Sequence, residues 1–223
     1  MNNGLTPEVI KQFDSISKLP ETWDHNQHYQ KKLLTFLQNS HIALDVGCGT
    51  GEYTRELTKK CKKVIGIDVS QEMIDKAKSL TINDNVEYIC IDVESFLNQT
   101  SIVFDFITNI AVLHHLDEKN VLKLMKKSLS KNGVIAILDL YKSETLIDYM
   151  YSIVAMIINP FMMLIKRGRL WVTKEERDAW KDHFIYDQYK SIKEIKQISE
   201  SIIGKSIVKR HLFWRYSLIY INC

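Results

Sequence analysis

One stretch, residues 41–51 (HIALDVGCGTG), narrows the possible folds more than any other. A short apolar run ends in three alternating glycines, and an amphipathic segment from about Gly51 to Cys61 follows. Apolar runs of this length read as buried strands, and glycines between a strand and a helix permit a sharp turn. The same alternation then recurs along the chain. Val64–Asp68, Val86–Asp92, Phe104–Asn109 and Val134–Asp139 are expected strands, with helices at Gln71–Leu80, around Phe96 and Leu97, and at about Glu118–Leu129. A turn is expected at Lys131–Gly133. Ahead of this series lie two expected helices, residues 6–18 and 26–39. Behind it come a helix at about Ser191–Ile203 and two β-rich runs, Ser206–Phe213 and Tyr216–Asn222, separated only by Trp214 and Arg215.

Strands that alternate with helices specify a parallel sheet covered on both faces. The expected fold is therefore α/β, doubly wound and Rossmann-like. Its mostly parallel seven-stranded sheet closes with a C-terminal antiparallel hairpin. No repeat, low-complexity tract or linker interrupts the chain, which predicts one domain over residues 1–223. Within it, 1–40 are cover helices, 41–141 the ligand-binding core, 142–187 an inserted helical lid, and 188–223 the last helix and closing strands.

Composition matters mainly for what it excludes. A net charge of +3 is too small for an extended nucleic-acid surface, so no nucleic-acid partner is expected. The four cysteines, Cys48, Cys61, Cys90 and Cys223, form no CxxC pair and no Cys/His ladder. That predicts no metal site and a reducing compartment, with the cytoplasm as the expected location. The opening residues MNNGLTPEVIKQFDSI lack the basic and apolar regions of a secretory signal. Residues 149–165 carry no charge, but Pro160 interrupts them and a span here would split the domain, so a lid or interface helix is expected instead.

In a doubly wound sheet, ligands bind beyond the carboxyl ends of the strands. Four groups fall there. Asp45, Gly47, Cys48, Gly49 and Gly51 form the first turn. A dinucleotide fingerprint would place its third glycine one residue later; here Glu52 holds that place, at a helix N-terminus where pyrophosphate would sit. A carboxylate there repels phosphate, which favours an adenosyl ligand without phosphates. Asp68, with Val69, ends strand two and suits ribose hydroxyls, with helix capping as the alternative. Asp92 and Val93 end strand three, where an acid can meet an adenine amino group or cap a helix. Asn109 ends strand four, followed by His114 and His115; packing is the competing role for both histidines. Asp139 and Tyr141 border the space beyond strand five.

Read in order, LDVGCGTGEYT, VIGIDVS, YICIDVE, FDFITNIAVLHHL and NGVIAILDLY resemble the successive motifs of class I S-adenosylmethionine (SAM)-dependent methyltransferases, and most generally the ubiquinone/menaquinone-biosynthesis group. The flanks, WDHNQHY and RHLFWRYSLIY, are similar to a set of small bacterial members without an assigned substrate. The resemblance implies SAM as cofactor, with Asp45, Gly47, Gly49 and Gly51 lining its site. It further implies Asp68 on the ribose, Asp92 at the adenine edge and Asn109 at the methionine part. A transferase of this kind chiefly positions its acceptor; a hydroxyl or carbon acceptor also requires a base, for which His28, Tyr29, His114 and Tyr141 are candidates. The Met- and aromatic-rich insert predicts a small apolar or aromatic acceptor. Methylation of a peptide or RNA, or SAM binding without catalysis, is the alternative. A monomer or homodimer is expected.

Overall fold

The computed structural model describes residues 7–20, 22–37, 41–181 and 189–223. Its centre is a seven-stranded sheet, ordered β3-β2-β1-β4-β5-β7-β6. The strands are β1 (Ile42–Val46), β2 (Lys63–Asp68), β3 (Val86–Cys90), β4 (Phe104–Ile110), β5 (Leu129–Leu140), β6 (Ile207–Arg210) and β7 (Arg215–Ile221). β1 to β5 pair in parallel, and β7 runs antiparallel between β5 and β6. The order reverses between β1 and β4, so a crevice opens over their carboxyl ends.

Helices follow from local chemistry. α1 is Pro7–Ser17 and α2 is His25–Leu33, the latter capped by Asp24, whose carboxylate accepts from the Gln27 amide. α3 (Glu52–Thr58) starts directly from Gly51. α4 (Gln71–Leu80) and α5 (Val93–Gln99) are capped by the Ser70 hydroxyl and the Asp92 carboxylate. α6 (Glu118–Lys127) buries Val121, Leu122 and Met125 against the sheet. α7 (Leu146–Arg167), α8 (Lys174–Lys181) and α9 (Ile192–Ile202) complete the set. Capping boxes open α7 and α9, at Thr145 and Ser191.

Apolar clusters cover both sheet faces. Leu44, Ile65, Ile107, Ile135 and Ile137 lie on one, and Ala43, Val64, Phe106, Ala136 and Leu138 on the other. This is the alternation by which a strand buried on both sides sends successive residues to opposite faces.

Three expectations are corrected. The turn at Lys131–Gly133 is absorbed into β5, because Asn132 at φ 60° bonds the Asn222 carbonyl and the extra residues bulge between the Phe104 and Phe106 registers. The hairpin turn lies earlier than expected: β6 ends at Arg210 instead of Phe213, Arg215 belongs to β7, and Phe213 and Trp214 in the turn take left-handed φ values of 59° and 55°. Two aromatic residues in that region are strained, and the turn is held by Trp214 donating to Ser152 Oγ and Phe213 stacking on His25. Finally, Pro160 does not break α7, which runs unbroken for 22 residues. The Asn159 side chain bonds His25 Nε2, tying this part of α7 to α2.

α7 is the one helix among the described residues long and apolar enough to cross a membrane, by length and composition. One stripe (Asp148, Ala155, Met163) is buried against the domain, while most of its apolar side chains are exposed. Residues 182–187 of the expected lid lie outside the described residues, as do residue 6 of the first expected helix and residues 38–39 of the second.

Candidate functional site

Two adjoining cavities occupy the crevice. The first is a narrow slot lined by Gly47, Asp68, Val69, Val93 and Val112, with Phe13 of α1 leaning over it. The second, of about 740 Å³, opens beside it past the same Phe13. Thr50, Glu52, Ala111, His114, Tyr189 and Arg215 are among its walls, together with Asn159, Met163 and Arg167 from α7.

Gly47, Gly49 and Gly51 all have positive φ, but the space around them differs. A Cβ on Gly47 would sit 2.4 Å from the Val112 side chain, and one on Gly51 would sit 2.4 Å from Tyr88 Oη. Around Gly49 nothing lies within 4 Å, so its open side is where a ligand approaches the main chain. Replacing Gly47 with alanine therefore forces both left-handed strain and a clash. Thermal unfolding of Gly47→Ala is expected to show a loss of about 2 kcal/mol or more, since the left-handed conformation alone costs roughly 1–2 kcal/mol.

Asp68 is fixed by backbone donors. Gly49 N–H donates to Oδ2 at 2.9 Å, and Ser70 N–H to Oδ1 at 2.9 Å. A carboxylate has about four lone-pair directions, so capacity remains for a pair of hydroxyls. Burial raises its pKa, and the Ser70 and Gly49 amides act against that rise. Ser70, not Asp68, caps α4, so the capping alternative for Asp68 falls away.

The residues present fit SAM. Apolar walls at Val69, Val93 and Val112 suit an adenine ring, Asp68 suits a ribose, and the open face of Gly49 admits a close main-chain contact. Glu52 disfavours a phosphate-bearing ligand; its carboxylate holds the side-chain amides of Gln27 and Gln30 at 2.7 and 3.0 Å.

Several expected residues sit elsewhere. Cys48 is buried behind the turn, where burial pushes its thiol pKa up. Asp92 caps α5, accepting from the Ser95 amide at 2.8 Å, and is not among the residues that line the slot. Asn109 is fully buried: its amide nitrogen donates to the Val46 carbonyl and its oxygen accepts from Leu113 N–H, so it shapes the turn carrying Ala111 and Val112. Asp45 is buried under the sheet end and accepts from Thr54 Oγ1 at 2.6 Å. Among the base candidates, Tyr29 is buried against His211, and His28 lies beside it. Tyr141 is buried near Arg210, its pKa pushed up to about 12 by burial and by Asp148. None of these three lines either cavity.

Burial raises the Asp45 pKa from 3.8 to about 7. A raised folded-state pKa contributes stability below the unfolded value that is lost as pH rises through the folded one. Asp45→Asn removes that loss while keeping an acceptor for Thr54. At pH 8 the variant should be more stable than the parent by an amount on the order of a few kcal/mol, with the gap closing near pH 4. Paired thermal melts at the two pH values test this.

His114 is the base candidate that reaches the larger cavity. Its Nδ1 lies 2.6 Å from Asp139 Oδ1, its backbone N–H donates to Asp139 Oδ2 at 2.9 Å, and both side chains are almost fully buried. β4 delivers the histidine through a 3-10 turn at residues 113–115, and β5 delivers the aspartate. Arg215, Phe13 and Asn159 were not legible as site residues; the first read as part of a turn, and the others as ordinary helix positions.

A glycine turn after β1, an acid after β2 and a cavity over the switch point together define a class. Residues 44–137, somewhat less than half of the chain, match the model of the methyltransferase domain family. Ubiquinone biosynthesis O-methyltransferase of Idiomarina loihiensis is 27% identical over 147 residues, which cover 59% of this chain and 60% of that one. The Pseudoalteromonas translucida enzyme of the same name is 33% identical over 116 residues, 50% of this chain and 48% of that one. The chain thus spans about half to three fifths of the length of these relatives. Its fold is shared with the N-methyltransferase NodS of Bradyrhizobium japonicum, which was crystallised with S-adenosylhomocysteine (SAH). The TM-score is 0.63 at 15% identity, over 96% of this chain and 98% of that one.

Proposed function

We propose that this chain transfers a methyl group from SAM to a hydroxyl oxygen of a small, apolar or aromatic molecule. The observation that carries the oxygen reading is His114, on the wall of the larger cavity and paired with the buried Asp139. A nitrogen or thiolate acceptor needs little beyond positioning, whereas a hydroxyl must lose a proton as it attacks. When bound, SAM supplies a methyl group on a sulfonium, which departs as a neutral thioether. Asp139 accepts the Nδ1–H of His114 and so selects the tautomer in which Nε2 carries the basic lone pair. Nε2 takes the hydroxyl proton as the oxygen–carbon bond forms, and Asp139 stabilises the resulting imidazolium. Phe13 and α7 restrict water around the reacting groups, and the cavity walls hold the acceptor in line.

The names of the relatives, O-methyltransferases, agree with this acceptor atom. The test is a screen of catechols, phenols and matched anilines with labelled SAM. Methylation of a hydroxyl is expected; transfer confined to nitrogen or sulfur contradicts the oxygen reading.

A further inference from the structure

We infer that the larger cavity contains a subsite for an anionic group on the acceptor, built on Arg215; the inference deepens the reading above and rests on it. Arg215 opens β7 beside Leu140, and both line the larger cavity together with His114. Its Nε donates to Asn26 Oδ1 at 2.8 Å and one Nη to the Phe213 carbonyl at 2.9 Å, which fixes the guanidinium in place. Arg215 is half-buried, and a guanidinium withdrawn from solvent to that degree is normally matched by a carboxylate. Asp24 and Asp139 are near enough to act on its charge, yet neither pairs with it. Both are committed elsewhere: Asp24 to the Gln27 amide and Asn26, and Asp139 to His114 and the Leu140 amide. No ion-pair partner for Arg215 occurs among the described residues. Of the other cations that line the cavity, Arg167 is paired with Glu176, Lys76 donates to the Leu19 carbonyl, and Arg177 is exposed.

The remaining N–H donors of Arg215 form a planar fork that suits a carboxylate. With Tyr189, His114 and Met163 supplying apolar and aromatic wall, the ligand class is a hydroxy-aromatic carboxylate. The test uses SAH-loaded protein titrated with 3,4-dihydroxybenzoate and with catechol. The acid is expected to bind about tenfold or more tightly, since a charged hydrogen bond has that order of effect. Arg215→Met should abolish the preference and Arg215→Lys retain part of it, with SAH affinity unchanged in both. Equal affinity for the two probes, no binding of the acid, or a preference that survives in Arg215→Met overturns the subsite. So does loss of SAH binding in Arg215→Met, which would reassign the arginine to the cofactor. None of these results touches the SAM reading, which fails only if the parent protein does not bind SAH.

A separate observation carries a second inference: we propose that the outer face of α7 docks on an anionic lipid surface. Met156, Ile157, Phe161, Leu164 and Ile165 are exposed there, Phe161 by 64% and Ile165 by 74%. Exposed Trp171 follows just after the helix. So large an apolar face is unusual on a domain surface and marks an interaction site. The partner is indicated by charge. Lys32 and Lys166 act together on His28, and Lys32 and Lys209 act together on His211, so cations gather on the side where α7, α2 and β6 meet. A second copy docked face to face would bring these cations together, whereas anionic headgroups complement them. The inner face of α7 lines the cavity, so a docked helix would place the acceptor site beside the lipid.

The test is co-sedimentation with phosphatidylcholine–phosphatidylglycerol vesicles. Binding is expected to fall about tenfold or more in Ile157→Asp/Phe161→Asp and to persist in Ile82→Asp, a fully exposed site remote in sequence. Failure of the parent to bind, an equal loss in Ile82→Asp, or a stable dimer disrupted by the α7 substitutions overturns the proposal.

Discussion

Asp68→Ala is expected to weaken SAH binding about a hundredfold. The carboxylate lines the slot, and Gly49 and Ser70 hold it in place through one backbone N–H to each oxygen. Hydrogen bonds to a charged group contribute roughly 1.5–3 kcal/mol each, so losing two ribose contacts accounts for a hundredfold change. The fold should persist, because Ser70 caps α4 independently and the sheet pairing of β2 does not involve the side chain. Isothermal titration gives the affinity, and a circular-dichroism melt confirms folding. Affinity within a few-fold of the parent would remove Asp68 from the ribose role.

The legibility of this site divides along physical lines. Gly47, Asp68, Val69 and Val93 could be read because each lies at or just beyond the end of a strand, and strand ends in a doubly wound sheet point to one crevice. Asp92 and Asn109 also close strands or follow them, but their side chains satisfy local backbone groups, and a short polar residue beside a turn gives the same sequence signal in either role. His28 and Tyr29 looked like a reactive cluster because they are dense in aromatic and titratable groups. In the structure Tyr29 stacks on His211 of the closing hairpin, and neither His28 nor Tyr29 lines a cavity. Arg215 escaped notice because its position depends on the left-handed Phe213 and Trp214, a conformation that aromatic residues do not advertise. The β5 bulge was hidden by Gly133, which reads as a turn and instead fits close packing against Leu129. The central strands were plain because alternate residues fill both faces; long-range placement across the cavity left no comparable period in the sequence.

The second large effect belongs to the dyad. His114→Ala should lower kcat for a hydroxyl acceptor by about 10²- to 10⁴-fold, the usual contribution of a positioned base. Asp139→Asn should cause a loss of similar order, because an amide no longer accepts the Nδ1–H and the tautomer is released. The double variant should be little worse than either single one, since the two residues act as a unit. SAH affinity should stay near that of the parent in all three, as the slot is lined by other residues. Steady-state kinetics on the best catechol, read beside SAH titration, distinguishes a lost base from a lost cofactor site. Additive losses, or an undiminished kcat in His114→Ala, would assign the pair a packing role and leave transfer to positioning alone.

The central claim is that the glycine turn after β1 and the acid after β2 hold an adenosyl group without phosphates. A crystal structure of the protein grown with SAH addresses it most directly. The account predicts both ribose hydroxyls on Asp68, the adenine between Val69, Val93 and Val112, and the amino-acid portion past the open side of Gly49 toward the larger cavity. A slot empty at saturating SAH, or one that instead takes a pyrophosphate-bearing nucleotide across Glu52, would contradict it.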